Sequence, residues 1–252
     1  MTGELSLSVT NSIATLDFYH PKGNSLPSAL LSKLAESITR LGNDAEVKVI
    51  VLRSKGDGAF CAGASFDELL AIDSEETANT FFKGFGHLIL AIKNCPKFVI
   101  ASVQGKAVGG GVGIIAACDY AIASETASIK LSELSIGFGP FVIAPAVIRK
   151  IGISAFSTLT IDSTNWKSSD WAEEKGLYNA VVQDFEKLEH EVHSLTEQLA
   201  GYSLAAMRAI KTTLWEGFED IESTFEERAK LSGSLSQSEV TQFILARFKQ
   251  GS

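Results

Sequence analysis

The sequence predicts an α/β fold with a helical C-terminal extension. Short apolar runs of strand length alternate with amphipathic stripes of helical period as far as residue 182. From Asp184 onward nearly every segment carries the helical period alone. No internal repeat or low-complexity run interrupts that order. At 252 residues, 45% hydrophobic and 21% charged, the composition is that of an ordinary globule with a sizeable core. The expected division is a core over 1–182 and a helical region over 183–252.

Residues 4–18 alternate as two short strands around Thr10-Asn11, an opening hairpin. The polar loop His20-Pro21-Lys22-Gly23-Asn24-Ser25 leads to a helix with Pro27 near its first turn and an apolar stripe of Leu30, Leu31, Leu34, Ile38 and Leu41. Val47 to Arg53 reads as a buried strand, followed by the glycine-rich loop SKGDGAFCAGASF. Asp73 and Glu76 have capping-box spacing before a helix whose stripe is Ala78, Phe81, Phe82, Phe85, Leu88, Ile89 and Ile92, ending at Asn94-Cys95-Pro96. His87 lies off that stripe, as a surface residue does. Lys97 to Val103 is a strand, and IIAAC after Gly109-Gly110-Gly111 opens a buried helix. Pro140 to Ile151 reads as a helix around Pro145, Ser168 to Lys175 as a short helix closed by Gly176, and Val181-Val182 as a late strand. Beyond it, Leu188, Val192, Leu195 and Leu199 form one stripe, and Leu204, Met207, Ile210, Lys211 and Leu214 the next. The last segment, 221–252, places Phe225, Phe243, Ile244 and Phe248 among charges, which suits a helix packed on a partner subunit or on its own domain.

The balance of charge restricts function. A net charge of −8 argues against nucleic acid as the main partner. The start, MTGELSLSV, lacks a basic stretch followed by an apolar one, so no secretory leader is expected, and no run reaches bilayer-spanning length. Cys61, Cys95 and Cys118 are scattered, without disulfide or zinc spacing, which fits a reduced, cytoplasmic protein. In His190-Glu191-Val192-His193 the histidines stand three apart, not the four of the zinc-protease helix, so no metal is expected there.

The chemistry is concentrated in residues 97–141. Three glycines after a strand let backbone N–H groups face a ligand unshielded, and a helix starting there suits a developing negative oxygen. A dinucleotide fingerprint counted from Gly109 would need Gly or Ala where Ile114 stands, and no Gly-Lys-Ser/Thr follows to make a phosphate loop. An oxyanion site remains. Ala62, Gly63 and Ala64 end the earlier glycine-rich loop, a second place where amides could face the same ligand. In LSELSIG, Glu133 lies between Leu131 and Ile136, a setting that raises a carboxyl pKa.

These motifs carry a family resemblance over almost the whole chain. AFCAGASFDEL resembles the first oxyanion loop of the crotonase, or enoyl-CoA hydratase/isomerase, superfamily. GKAVGGGVGIIAACDYAIAS resembles its second, LSELSIG the segment bearing its second glutamate, and WKSSDWAEEKGLYNAVV a later family segment. The resemblance implies a crotonase-like spiral of ββα units, an acyl-CoA thioester as substrate, no redox or metal cofactor, and a helical C-terminal region that assembles homotrimers or hexamers. It assigns the oxyanion donors to the N–H groups of Ala64 and Gly110 and proton transfer to Glu133. Coenzyme A contacts are expected from Lys22, Ala62, Gly63, Phe66, Gly109 and, reaching from a neighbouring subunit, Lys249.

Departures from the family pattern sharpen the expectation. Where family hydratases carry a first glutamate, two residues after the triple glycine, this chain has Gly113. Two carboxylates ordinarily hold the water that is added to a double bond, whereas one base suffices to move a proton from C2 to C4. A Δ3,Δ2-enoyl-CoA isomerase is therefore the first expectation. A hydratase working with one glutamate, aided by Asp67 or Glu68, and a catalytically silent acyl-CoA-binding homologue are the alternatives. The family's aspartate after the first-loop alanine is Ser65, and GFGPFVIAP replaces its usual proline-glycine turn. Phe138, Phe141 and Gly113 are accordingly expected in the acyl pocket.

Overall fold

The computed structural model describes residues 3–250, with side chains up to 247. The hairpin forms as expected, from β1 (Glu4–Thr10) and β2 (Ile13–Tyr19). α1 (Ser28–Asn43) follows Pro27, and all five leucines and isoleucines of its stripe are buried. Then come β3 (Val49–Ser54), α2 (Phe66–Leu70) and α3 (Glu75–Asn94). The capping box of α3 differs from expectation. Ser74 accepts from the Thr77 N–H while the Thr77 hydroxyl reaches back to the Ser74 N–H, and Asp73 only accepts from that hydroxyl.

β4 (Phe98–Val103), β5 (Ala107–Val108), α4 (Gly110–Ala117), β6 (Tyr120–Ser124) and β7 (Ser128–Lys130) form the middle of the chain. α4 begins at Gly110 itself, so two of the three glycines are its first turn. After a 3-10 turn over Glu133–Ile136 comes α5 (Ala144–Ile161). It starts later than expected, carries Pro145 in its first turn, where proline is tolerated, and breaks at Gly152 (φ 75°). β8 (Lys167–Ser168), α6 (Ser169–Glu174), β9 (Ala180–Val182), α7 (Phe185–Ala200), α8 (Leu204–Leu214), α9 (Ile221–Ser236) and α10 (Glu239–Gln250) complete the order.

Two sheets result. The larger runs β1-β2-β3-β4-β6-β9, parallel except for the hairpin, and the smaller runs β5-β7-β8. Successive strands β4 and β5, then β6 and β7, place one strand in each sheet before a helix, which is a spiral of ββα units. Side chains alternate across the large sheet. Ile50 and Leu52 face the main core with α1, α3 and α4, whereas Ile13, Val51 and Ile122 face Leu188 and Val192 of α7.

The helical region packs on this core. Phe225 of α9 lies against Gly86 of α3, where an added Cβ would come 3.2 Å from the phenylalanine Cβ. Lys211, counted in an apolar stripe, is buried because its ammonium donates to Asp119 Oδ2 (2.8 Å) and to the carbonyl of Lys97 (2.9 Å). Its neighbours Leu204, Ile210 and Leu214 are exposed instead, so of that stripe only Met207 and Lys211 face the core. Phe243 is 65% exposed, and the Phe248 and Lys249 side chains lie outside the described residues.

Candidate active site

The small sheet explains how distant segments of sequence meet. Cys61 bridges to Ala107 of β5: its N–H donates to the Lys106 carbonyl (3.2 Å), and the Val108 N–H donates to the Cys61 carbonyl (2.9 Å). On its other side the loop is held by Leu26 and Gly23, since the Leu26 N–H donates to the Gly63 carbonyl and the Ala62 N–H to the Gly23 carbonyl. The Gly109 N–H in turn donates to the carbonyl of Lys130 in β7 (2.9 Å), three residues before Glu133.

These attachments put the two glycine loops side by side. A Cβ on Gly63 would stand 3.9 Å from the Gly110 nitrogen. Among the described residues, neither the Ala64 nor the Gly110 N–H donates to a backbone or side-chain acceptor, and both residues line a cavity of about 310 Å³. The Gly110 N–H heads α4, whose orphan amides and dipole favour negative charge at that end.

Glu133 opens the 3-10 turn beside Gly109. Gly109 has φ 53°, and a Cβ there would lie 2.6 Å from Glu133 Oε1, so glycine is required both for backbone conformation and for room. Glu133 Oε2 is buried with no hydrogen-bond partner. Burial pushes the carboxyl pKa up to about 7, against the smaller, lowering effect of a hydrogen bond from its own backbone. It is the only titratable side chain among the described residues that line the cavity.

The remaining wall is largely aromatic. Phe81, Phe82 and Phe85 come from α3, and Phe138 and Phe141 from the loop after the 3-10 turn. Phe82 and Phe138 meet edge to face at 5.3 Å between centroids. Phe66, Ala62, Gly63 and Gly109 also line the cavity.

Three sequence expectations require correction or relocation. Gly113 is not on the cavity wall. A Cβ there would lie 2.6 Å from Ile143 Cβ, so Ile143 fills the space before it and forms the wall itself. Asp67 and Glu68 point elsewhere: Asp67 is paired with Lys22 (2.6 Å), which holds its carboxyl below the usual range, and Glu68 accepts from the Ser28 N–H and hydroxyl. Neither lines the cavity. Lys22 is thus already paired, at an exposed position. His190 and His193 are exposed beside glutamates, and no group of metal-binding side chains occurs among the described residues.

Sequence reasoning missed Thr241, buried in α10. Its hydroxyl accepts from Ser238 Oγ and donates to the carbonyl of Gly137 (2.9 Å), the residue that ends the Glu133 turn at φ 98°. No motif marks it, because its role arises only when α10 returns to the site. Thr241→Val keeps the shape and removes the donor, so urea unfolding should show a loss of about 1 kcal/mol, with Thr241→Ser near wild type. Equal stability of Thr241→Val and wild type would remove α10 from the support of that turn.

Comparison with known proteins gives the family and the fold. The family model described as enoyl-CoA hydratase/isomerase matches residues 8–249. A Bacillus subtilis protein named "Probable enoyl-CoA hydratase" is 27% identical over 93% of this chain and 91% of its own length. The human protein named methylglutaconyl-CoA hydratase, mitochondrial, is 30% identical over 78% of this chain, which spans only 58% of that relative. The fold matches the crystal structure of enoyl-CoA hydratase from Bacillus halodurans with a TM-score of 0.90, covering 96% of this chain and 99% of that one at 22% identity. With 242 of its residues matched by one model and its fold shared throughout, the chain belongs to the enoyl-CoA hydratase/isomerase family.

Proposed function

We propose that this protein is a Δ3,Δ2-enoyl-CoA isomerase. The observation that carries the reading is the solitary Glu133 carboxylate in a cavity whose second acid position is closed by Ile143. Ionised Glu133 takes a proton from C2 of a 3-enoyl thioester, and the negative charge moves onto the thioester oxygen. The N–H groups of Ala64 and Gly110 stabilise that oxygen, a contribution of about 3 kcal/mol per donor in comparable sites. Glu133 then returns the proton to C4, leaving a trans-2-enoyl thioester. A carboxyl with a pKa near 7 suits both halves of the transfer, being almost equally ready to accept and to donate.

Hydration is the second reading, supported by the names of the relatives and by Ser132, which lines the cavity next to Glu133 and could share a water with it. Coenzyme A would lie along Ala62, Gly63, Phe66 and Gly109, with its phosphates near Lys22. Because an exposed ion pair contributes little, a phosphate can take Lys22 from Asp67 at small cost. Redox and metal cofactors have no part in this chemistry. Exposed Leu204, Ile210 and Leu214 on α8 support assembly of copies through the helical region, as trimers or hexamers, and three buried free cysteines fit a cytoplasmic setting.

Product identification decides between the readings. Matched 3-enoyl-CoA and trans-2-enoyl-CoA should interconvert without 3-hydroxyacyl-CoA. Accumulation of the hydroxyacyl product would establish the hydratase, and absence of both reactions the silent homologue. Since the unprotonated carboxylate starts the reaction, kcat/KM for the 3-enoyl substrate should be level above a pH of about 7 and fall below it. A flat profile through that pH would remove Glu133 as the base.

A further inference from the structure

Among the described residues, the cavity is lined by one carboxylate. Among the described residues lining it there is no lysine, arginine or histidine. Of the three serines that line it, two have engaged hydroxyls, and Ser132, next to Glu133, supplies a neutral hydroxyl but no charge. Ser135 donates to the Ser132 carbonyl (2.6 Å) and Ser232 to the Arg228 carbonyl (2.9 Å), so neither hydroxyl proton is available to a bound anion without losing its present bond. Beyond them the wall carries six phenylalanines, Phe66, Phe81, Phe82, Phe85, Phe138 and Phe141.

We propose that this acyl pocket admits uncharged acyl chains and rejects acyl groups that end in a carboxylate. The inference rests on the acyl-CoA reading and adds the chemical class of acyl group. A carboxylate carried into the pocket would leave water for an aromatic wall with no counter-charge. It would also share the cavity with Glu133, whose Oε2 is already buried and unpaired. Both effects have the same sign: burial disfavours an unpaired charge, and a second carboxylate nearby disfavours it again. An isopropyl terminus of nearly the same shape suffers neither and gains contact with the rings.

The test is a binding comparison that does not depend on turnover. Glutaryl-CoA and 5-methylhexanoyl-CoA differ only in that an isopropyl end replaces the carboxylate, and neither has a double bond to react. Each is titrated calorimetrically into the full chain above neutral pH, with CoA itself as the baseline. 5-Methylhexanoyl-CoA should bind on the order of 100-fold more tightly, with glutaryl-CoA no better than CoA, since an uncompensated buried charge has a cost of that size. Equal affinity of the two acyl thioesters, both above the CoA baseline, overturns the exclusion while leaving the acyl-CoA reading intact. If neither thioester exceeds that baseline, the acyl-CoA reading itself fails, and this inference with it.

Discussion

Replacing Glu133 by glutamine should lower kcat on the 3-enoyl substrate by roughly 10³-fold, a barrier increase of about 4 kcal/mol, while leaving acyl-CoA affinity close to wild type. The amide preserves the shape of the side chain and its place beside Gly109 but cannot accept and return a proton. Single-turnover kinetics with calorimetric binding separates the two effects. Full turnover by Glu133→Gln would falsify the proton-transfer role. The same variant should be more stable than wild type at alkaline pH. Folding raises this carboxyl from 4.5 to about 7, so the folded state holds the proton more tightly than the unfolded state does. The penalty is absent below the unfolded value, grows as pH rises between the two values, and is complete above the folded one, where it reaches about 3 kcal/mol. Urea unfolding above neutral pH should therefore favour the glutamine form, with the difference vanishing in acid.

The second large effect concerns the missing acid. Gly113→Glu should not create a two-carboxylate hydratase. Its Cβ would lie 2.6 Å from Ile143 Cβ, and its carboxyl would enter a buried, apolar part of α4. Overpacking and an unpaired buried polar group together should lower stability by roughly 3 kcal/mol or more. Combining it with Ile143→Ala removes the obstructing branches and opens a way to the cavity. That double variant should recover part of the lost stability and hydrate trans-2-enoyl-CoA on the order of 10²-fold faster than the parent. Wild-type stability of Gly113→Glu alone, read as an unchanged urea midpoint, would show that Ile143 does not close the position.

Most of the fold was legible because the apolar periods are strong. The stripes of α1 and α3 are buried residue for residue as the sequence suggests, and the late Val181-Val182 strand does join the large sheet at β6. The small sheet was less legible, since β5 and β8 have two residues each, too few for a period to register. The site was legible where it depends on residue type: the glycines of both loops and a carboxylate set among apolar neighbours. It was not legible where it depends on which side chain takes a vacated volume. Nothing in a run such as FVIAP says that Ile143 fills the space in front of Gly113, and the three phenylalanines of α3 read as core until the cavity beside them is seen. Lys211 shows the opposite failure. Counted in its stripe by position alone, it is buried because of a buried aspartate 92 residues earlier, which no local period reveals.

The hydrogen bond from Thr241 to Gly137 also sets an order of events during synthesis. Chains fold from the N-terminus as they leave the ribosome, so the large sheet can assemble through β6 while α10 is still untranslated. At that stage both amide loops and the glutamate are already present, yet the turn bearing the glutamate lacks its last anchor. A nascent chain stalled before residue 241 should therefore be able to fold its centre without having a finished catalytic site. Competence arrives late, with the helix that closes back on residues made more than 100 positions earlier.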